Sequence, residues 1–131
     1  MTASNAPAKL VLFADDDEGM RKLLERRLAS WGYQVLLASD GVDVIRLAKD
    51  RLPSLILLDV MMPGLDGLEV CRILTREKDT RHIPVILLSA KATQISGEEL
   101  RAAGALTAVQ KPYQPEELLR LIEQTIPRTP A

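Results

Sequence analysis

Apolar residues along this chain follow two alternating patterns: short continuous runs, and stretches in which they recur every three or four positions. The runs are Lys9 to Ala14, Gln34 to Ala38, Leu55 to Leu58, Ile83 to Leu88 and Leu106 to Val109. They have strand length and are too continuous for sheet edges washed by solvent, so they predict five strands of a parallel sheet covered on both faces. Between them, Met20, Leu23, Leu24, Leu28 and Trp31 form one helical stripe, and Val44, Ile45, Ala48 and Leu52 form a second. The third and fourth helices fall at about Leu68 to Glu77 and about Ser96 to Ala103, and Leu118, Leu119, Ile122 and Ile126 define a fifth.

Boundary residues agree with this division. Asp40 is placed to cap the second helix and Asp66, before Gly67, the third, although Asp66 is also a candidate fourth site carboxylate. Pro115 suits the first turn of the fifth helix, and Gly32 and Gly104 suit helix C-termini. Strands alternating with helices through right-handed crossovers predict a doubly wound α/β domain. In such a sheet, ligands bind beyond the carboxyl ends of the strands, where the strand order reverses.

Composition narrows the class further. A chain of 131 residues that is 47% hydrophobic is expected to form one domain with one sizeable core. The predicted domain spans 9–126, with a flexible segment at 1–8 and a tail or linker start at 127–131. A net charge of -1 without a basic stripe argues against direct nucleic-acid binding. Apolar runs far shorter than a bilayer span, and a polar N-terminus without a signal-like core, lead to the expectation of a cytoplasmic protein with no membrane association. Cys71, the only cysteine, reads as an apolar helix residue, and His82, the only histidine, as a loop residue.

The candidate chemistry lies at the ends of the predicted strands. Asp15, Asp16 and Asp17 follow the first run, and Asp59 closes the third ahead of the turn signal Met61-Met62-Pro63-Gly64. With strand order 2-1-3-4-5, the first and third strands are neighbours and these carboxylates converge on one crevice. Two carboxylates about 5 Å apart at an effective dielectric near 20 repel by about 3 kcal/mol, which forces protonation or demands a cation. Oxygen-only donors favour Mg²⁺, with Mn²⁺ able to replace it. Ser89 ends the fourth run and Lys111 follows the fifth, so both reach the same edge. A hydroxyl and an ammonium beside a metal suit the oxygens of a phosphoryl group.

Four segments carry a family resemblance: Val11 to Glu18, Leu57 to Gly67, Pro84 to Ala92, and Gly104-Ala105 through Lys111-Pro112-Tyr113. In this order and spacing the chain resembles the receiver domain of two-component response regulators from about Lys9 to Ile126, which implies the flavodoxin-like receiver fold. The resemblance implies that Asp59 accepts a phosphoryl group from a phosphohistidine on a sensor histidine kinase or phosphotransfer protein, or from a small acyl phosphate. It implies that Asp16 and Asp59 ligate Mg²⁺ directly, that Asp15 acts largely through water, and that the Met61 carbonyl completes the protein's ligands. It implies as well that Ser89 and Lys111 hold the phosphoryl oxygens and that Lys111-Pro112 is a cis bond. The output face comprises the fourth helix, fifth strand and fifth helix, in a protein expected to be a monomer or weak homodimer. No enzyme activity beyond promoting its own phosphorylation and dephosphorylation is implied.

Three positions depart from or extend this pattern. Ala108 stands where receivers usually carry an aromatic switch residue, and Tyr113, also in the switch region, is not assumed to replace it because it lies beyond Pro112, where the family often has an aromatic anyway. Met61 and Lys91, each two residues past a site residue, are placed to screen attacking water and tune the lifetime of the aspartyl phosphate. Two other readings remain open on the residues. One is a phosphorylation-independent interaction module of the same fold. The other is a haloacid-dehalogenase-type phosphatase using the Asp15-x-Asp17 spacing, although Gly19 stands where that family places a hydroxyl or valine.

Overall fold

The computed structural model describes residues 9–127. The segment predicted at 1–8 and all but the first residue of the predicted tail at 127–131 lie outside the described residues. In chain order the elements are β1 (Leu10–Ala14), α1 (Glu18–Ser30), β2 (Gln34–Ala38), α2 (Gly41–Arg51) and β3 (Leu55–Asp59). They continue as α3 (Gly67–Arg76), β4 (Val85–Ser89), a 3-10 turn at Ala92–Gln94, α4 (Gly97–Ala103), β5 (Thr107–Gln110) and α5 (Pro115–Thr125). The strands are all parallel, in the order β2-β1-β3-β4-β5. The predicted doubly wound sheet is therefore the observed one.

Strand alternation divides the core into two layers. Leu12, Ala14, Ile56, Leu58, Val85 and Leu87 face one side and pack with Val44 and Ala48 of α2, Val70, Cys71 and Leu74 of α3, and Ala103 of α4. Val11, Phe13, Leu55, Leu57, Ile86 and Leu88 face the other, against Leu24 and Leu28 of α1 and Leu118, Leu119 and Ile122 of α5. Both faces of β1, β3 and β4 are thus covered, which is why those three read as unbroken apolar runs. Cys71 is buried as expected, and burial pushes its thiol pKa up to about 11. His82 lies in an exposed turn.

Helix ends are fixed by side chains. Asp40 Oδ1 accepts from Asp43 N–H at 2.8 Å, and Asp66 Oδ1 from Glu69 N–H at 2.9 Å. Asp66 is thus a cap, separate from the site carboxylates. Ser96 and Glu99 form a reciprocal capping box on the short α4. Gly104 ends α4 at φ 79°, with Thr75 packed so closely that an added Cβ would lie 2.6 Å from its Oγ1.

The structure corrects several expectations. β2 and β5 are edge strands with half-buried side chains, so continuity of an apolar run does not exclude an edge position. Leu106 lies ahead of β5 and is mostly exposed. Leu52 leaves the stripe of α2: it is the exposed C-cap in the left-handed region at φ 46°, and Pro53 behind it cannot continue the helix. Leu23 faces outward from α1, leaving Leu24 and Leu28 as its buried residues.

Candidate functional site

Register brings the carboxylates together. Ala14 of β1 lies opposite Leu58 of β3, so Asp15 and Asp59 are the next residues along two adjacent strands. Ligand oxygens of Asp15, Asp16 and Asp59 all fall within 4.8 Å of one another. Asp15 is 1% exposed and Asp59 4%, whereas Asp16 faces solvent. Asp17, the third of the run, is not part of the cluster: its Oδ1 accepts from Met20 N–H at 3.1 Å and caps α1. The Asp-x-Asp pair required by the phosphatase reading is therefore divided between a site and a helix cap.

Lys111, just past β5, supplies the positive charge that pairs with the buried carboxylates, and Arg21 donates to the backbone Asp15 O at 2.7 Å. The Lys111 Nζ donates to Asp15 Oδ2 and Asp59 Oδ2, each at 3.0 Å. The other oxygens are held by backbone: Asp17 N–H donates to Asp15 Oδ1 at 2.9 Å, and Met61 N–H to Asp59 Oδ1 at 3.1 Å. Burial is the largest influence on Asp59 and raises its pKa above the usual carboxylate value, against the opposing bonds from Lys111 and Met61. Burial disfavours the Lys111 ammonium too, but its bonds to Asp59 and Asp15 outweigh this and hold its pKa above the ordinary lysine value.

Two loops complete the edge. Ser89 ends β4 and is buried, its Oγ accepting from Lys91 N–H at 3.0 Å, and Lys111 N–H donates to Ser89 O at 2.9 Å. Gly67, at the start of α3, packs against the acceptor strand: an added Cβ would lie 2.7 Å from both Asp59 O and Val60 Cα. Only glycine allows the helix end this close to Asp59. Beside Ser89 an apolar cleft of about 320 Å³ is lined by Val60, Met61, Ser89, Ala90, Lys91, Gln94 and Ile95. The Met61 side chain is 71% exposed.

The structure thus brings Asp15, Asp16, Asp59, Ser89 and Lys111 to one edge of the sheet, with Met61 and Lys91 on the adjoining cleft. Ala108 lies apart, half-buried in β5 opposite Leu87. Tyr113 packs into the α1–α5 layer, and the Lys111-Pro112 bond before it is cis. The Met61 amide on Asp59, the Asp17 cap and the approach of Gly67 were not read from the sequence. Of these only the cap had a local signal, an aspartate three residues before Met20 at a helix start.

The donor set fits a hard divalent cation. Three carboxylates converge without a histidine or cysteine ligand, and an ammonium already bridges the two buried ones, so the cluster calls for positive charge. Asp15, Asp16 and Asp59 are the side chains that could hold Mg²⁺.

Comparison with known proteins bears on the same residues. The family model for the response regulator receiver domain matches residues 11–123. A probable transcriptional regulator, ycf27, of Guillardia theta is 41% identical over 122 residues, covering 91% of this chain and 46% of that protein. The response regulator PleD of Caulobacter vibrioides is 45% identical over 100 residues, covering 74% of this chain and 22% of PleD. The chain therefore spans less than half the length of these relatives. Among solved structures, the receiver domain of sensor histidine kinase PA1611 of Pseudomonas aeruginosa, with magnesium coordinated in its active-site cleft, superposes with a TM-score of 0.82 at 31% identity. That match covers 92% of this chain and 98% of the other. The chemotaxis response regulator CheY4 of Vibrio cholerae gives 0.84 at 27% identity, covering 90% and 98%. With the family model matching nearly all of the described residues, and with the fold and the acidic edge in agreement, this chain belongs to the response regulator receiver domains, which are signalling modules.

Proposed function

We propose that this receiver takes a phosphoryl group on Asp59 and thereby passes a signal from a sensor histidine kinase or histidine phosphotransfer protein to a downstream target. The observation that carries this reading is the state of Asp59: a buried carboxylate at a strand end, gripped by Lys111 Nζ at 3.0 Å and Met61 N–H at 3.1 Å beside two further aspartates. A carboxylate oxygen of Asp59 attacks the phosphorus of a partner phosphohistidine. The P–N bond breaks, its electron pair returns to the imidazole, and an aspartyl phosphate remains. Small acyl phosphates serve the same step.

Lys111 and the Ser89 hydroxyl donate to the phosphoryl oxygens as they pass from the histidine to Asp59. Asp16, Asp59 and the Met61 carbonyl would hold Mg²⁺, with Asp15 acting through water, and the ion would supply positive charge for the phosphoryl oxygens; Mn²⁺ would serve in its place. The modified state biases the face formed by α4, β5 and α5 toward docking. Complete inversion from 1:99 to 99:1 takes about 5.5 kcal/mol of differential interaction, and a smaller bias suffices for graded output. The working unit is the receiver at 9–126, acting in the cytoplasm as a monomer or weak homodimer without direct contact to nucleic acid or membrane.

The test is treatment of the full chain with Mg²⁺ and a small acyl phosphate, followed by intact-mass measurement. Wild type gains one phosphate and Asp59→Asn gains none. An unmodified wild type that still docks its target would favour the phosphorylation-independent module, and label on Asp15 or Asp16 would favour the phosphatase reading. Met61 and Lys91, flanking the cleft beside Ser89, set the lifetime of the phosphoryl group. Hydrolysis followed in Met61→Ala and Lys91→Ala should change severalfold, and rates equal to wild type reject the assignment.

A further inference from the structure

Asp15 is held by every polar atom it has. Its N–H donates to Ala38 O at 3.2 Å, and its side-chain oxygens accept from Asp17 N–H at 2.9 Å and from Lys111 Nζ at 3.0 Å. The remaining atom, the backbone oxygen, accepts from an Arg21 guanidinium nitrogen at 2.7 Å. Asp16 is the opposite case: it is exposed and, among the described residues, has no hydrogen bond of its own. Yet its ligand oxygen lies within 4.8 Å of those of Asp15 and Asp59.

The Asp15 carbonyl and the Asp16 N–H belong to one planar peptide unit, so a bond that fixes the first also fixes the direction in which the chain enters Asp16. Backbone direction in turn selects the rotamers open to the Asp16 side chain. Arg21 therefore reaches the Asp16 carboxylate through the backbone. The place of Arg21 itself needs a reason. It is the fourth residue of α1, and its guanidinium turns back past the helix start, where the helix dipole disfavours a positive charge. Glu18 in the same turn does not supply one, because that carboxylate is paired with Lys22 Nζ at 3.0 Å. The short, charge-assisted and part-buried bond to Asp15 O does.

We propose that Arg21 is a positioning residue for the cation: by holding the Asp15–Asp16 peptide it keeps the Asp16 carboxylate beside those of Asp15 and Asp59, where Mg²⁺ would bind. This rests on the reading of the cluster as a Mg²⁺ site, and not on Asp59 being the phosphoryl acceptor. The role sets charge and geometry against each other. As a bare positive charge Arg21 repels the ion, and its removal would tighten binding. As the holder of the peptide it favours the ion, and its removal loosens binding.

Calorimetric titration of the full chain with magnesium chloride at pH 7 separates the two. Arg21→Met removes the charge and the donors, and should weaken Mg²⁺ binding about tenfold, the scale on which losing the support behind a metal ligand is felt. Arg21→Lys keeps the charge and a donor, and should bind Mg²⁺ more tightly than Arg21→Met. A merely structural arginine would leave the affinity of folded variants unchanged, and a bare charge would reverse the order. Either result overturns the proposal. Thermal midpoints without Mg²⁺ establish which variants are folded, and Arg21→Ala takes the place of Arg21→Met if the latter is not. In the metal-free protein, amide exchange at Asp17, whose N–H is bonded to Asp15 Oδ1, should quicken in Arg21→Met while exchange in β3 stays the same; an unchanged rate at Asp17 also overturns the proposal. If wild type takes up no Mg²⁺, the metal reading fails and the role of Arg21 with it. If wild type and Arg21→Met bind it equally, the role of Arg21 fails and the metal reading stands. The acyl phosphate mass measurement judges Asp59 separately.

Discussion

β3 and β5 each deliver a residue to the same site, yet they are held in opposite ways. β3 lies between β1 and β4, and all five of its residues are buried, including Asp59 at its end. β5 pairs with β4 alone, its residues are half-buried or exposed, and Lys111 follows directly after it. A nucleophile must keep its place to within fractions of an ångström, so it belongs on the strand with the most packing around it. A group that changes partners belongs where rearrangement is cheap, at a sheet edge. Under the proposed function, with Asp59 as nucleophile and Lys111 as the group that changes partners, the molecule separates the fixed part of its chemistry from the movable part by sheet position.

The largest test of that contrast is truncation on each strand. Leu57 is fully buried in β3, so Leu57→Ala should cost about 2–5 kcal/mol, or roughly 4 °C in Tm for each kcal/mol in a domain of this size. Val109 is only partly buried in β5, and Val109→Ala should cost about 1 kcal/mol. Thermal or urea unfolding of the two variants decides it. Comparable losses would mean that β5 is as firmly fixed as β3.

A smaller effect of opposite sign is expected at Asp59. Its folded-state pKa is raised, chiefly by burial, above the usual 3.8. The stability this group contributes is therefore present below 3.8 and lost as pH rises through the folded value, so at neutral pH the ionised carboxylate is a burden on the apo fold. Asp59→Asn should raise the thermal midpoint at pH 7 in the absence of Mg²⁺, with Lys111 still partnered by Asp15. Scans at pH 7 and pH 3.5 check this. An advantage that persists undiminished at the lower pH would assign the gain to packing in place of charge.

How far the sequence shows this division depends on the interaction. The three central strands were legible because burial on both faces leaves no polar residue in Val11 to Ala14, Leu55 to Leu58 or Val85 to Leu88. The convergence of Asp15 and Asp59 followed from strand order, and the caps at Asp40 and Asp66 from local chemistry. The edge status of β2 and β5 followed only from the strand order 2-1-3-4-5 taken from the fold class and not from their residues, since Val35 to Leu37 and Ala108-Val109 are as apolar as core strands and are half-covered by helices. Nor was the division of labour legible within Asp15-Asp16-Asp17, where three identical side chains become an ion-paired buried group, an exposed carboxylate and a helix cap. Side-chain direction at the strand end decides among them, and the sequence does not encode it locally. The orphaned hydroxyl of Tyr113 depends on what fails to reach it, which only the packed structure reveals.

The smallest expected effect concerns Ala108, where β5, the reporting strand under the proposed function, carries a methyl group at a position the family resemblance fills with a large ring. Ala108 faces the α2–α3–α4 layer opposite Leu87, one strand away from β3 and without contact to the Asp59 carboxylate bonds. If β5 reports on Asp59 without helping to hold it, Ala108→Tyr should leave the rate of acyl phosphate labelling at Asp59 within about twofold of wild type. The midpoint should shift by no more than about 4 °C, the cost of fitting a ring at a half-buried edge position. What should change is the response: the phosphorylated variant should differ from phosphorylated wild type in amide exchange along β5 and α4, while β3 protection stays the same. A tenfold loss of labelling in Ala108→Tyr would show that the edge strand sets the geometry of the nucleophile as well, and the separation between the two strands would fail.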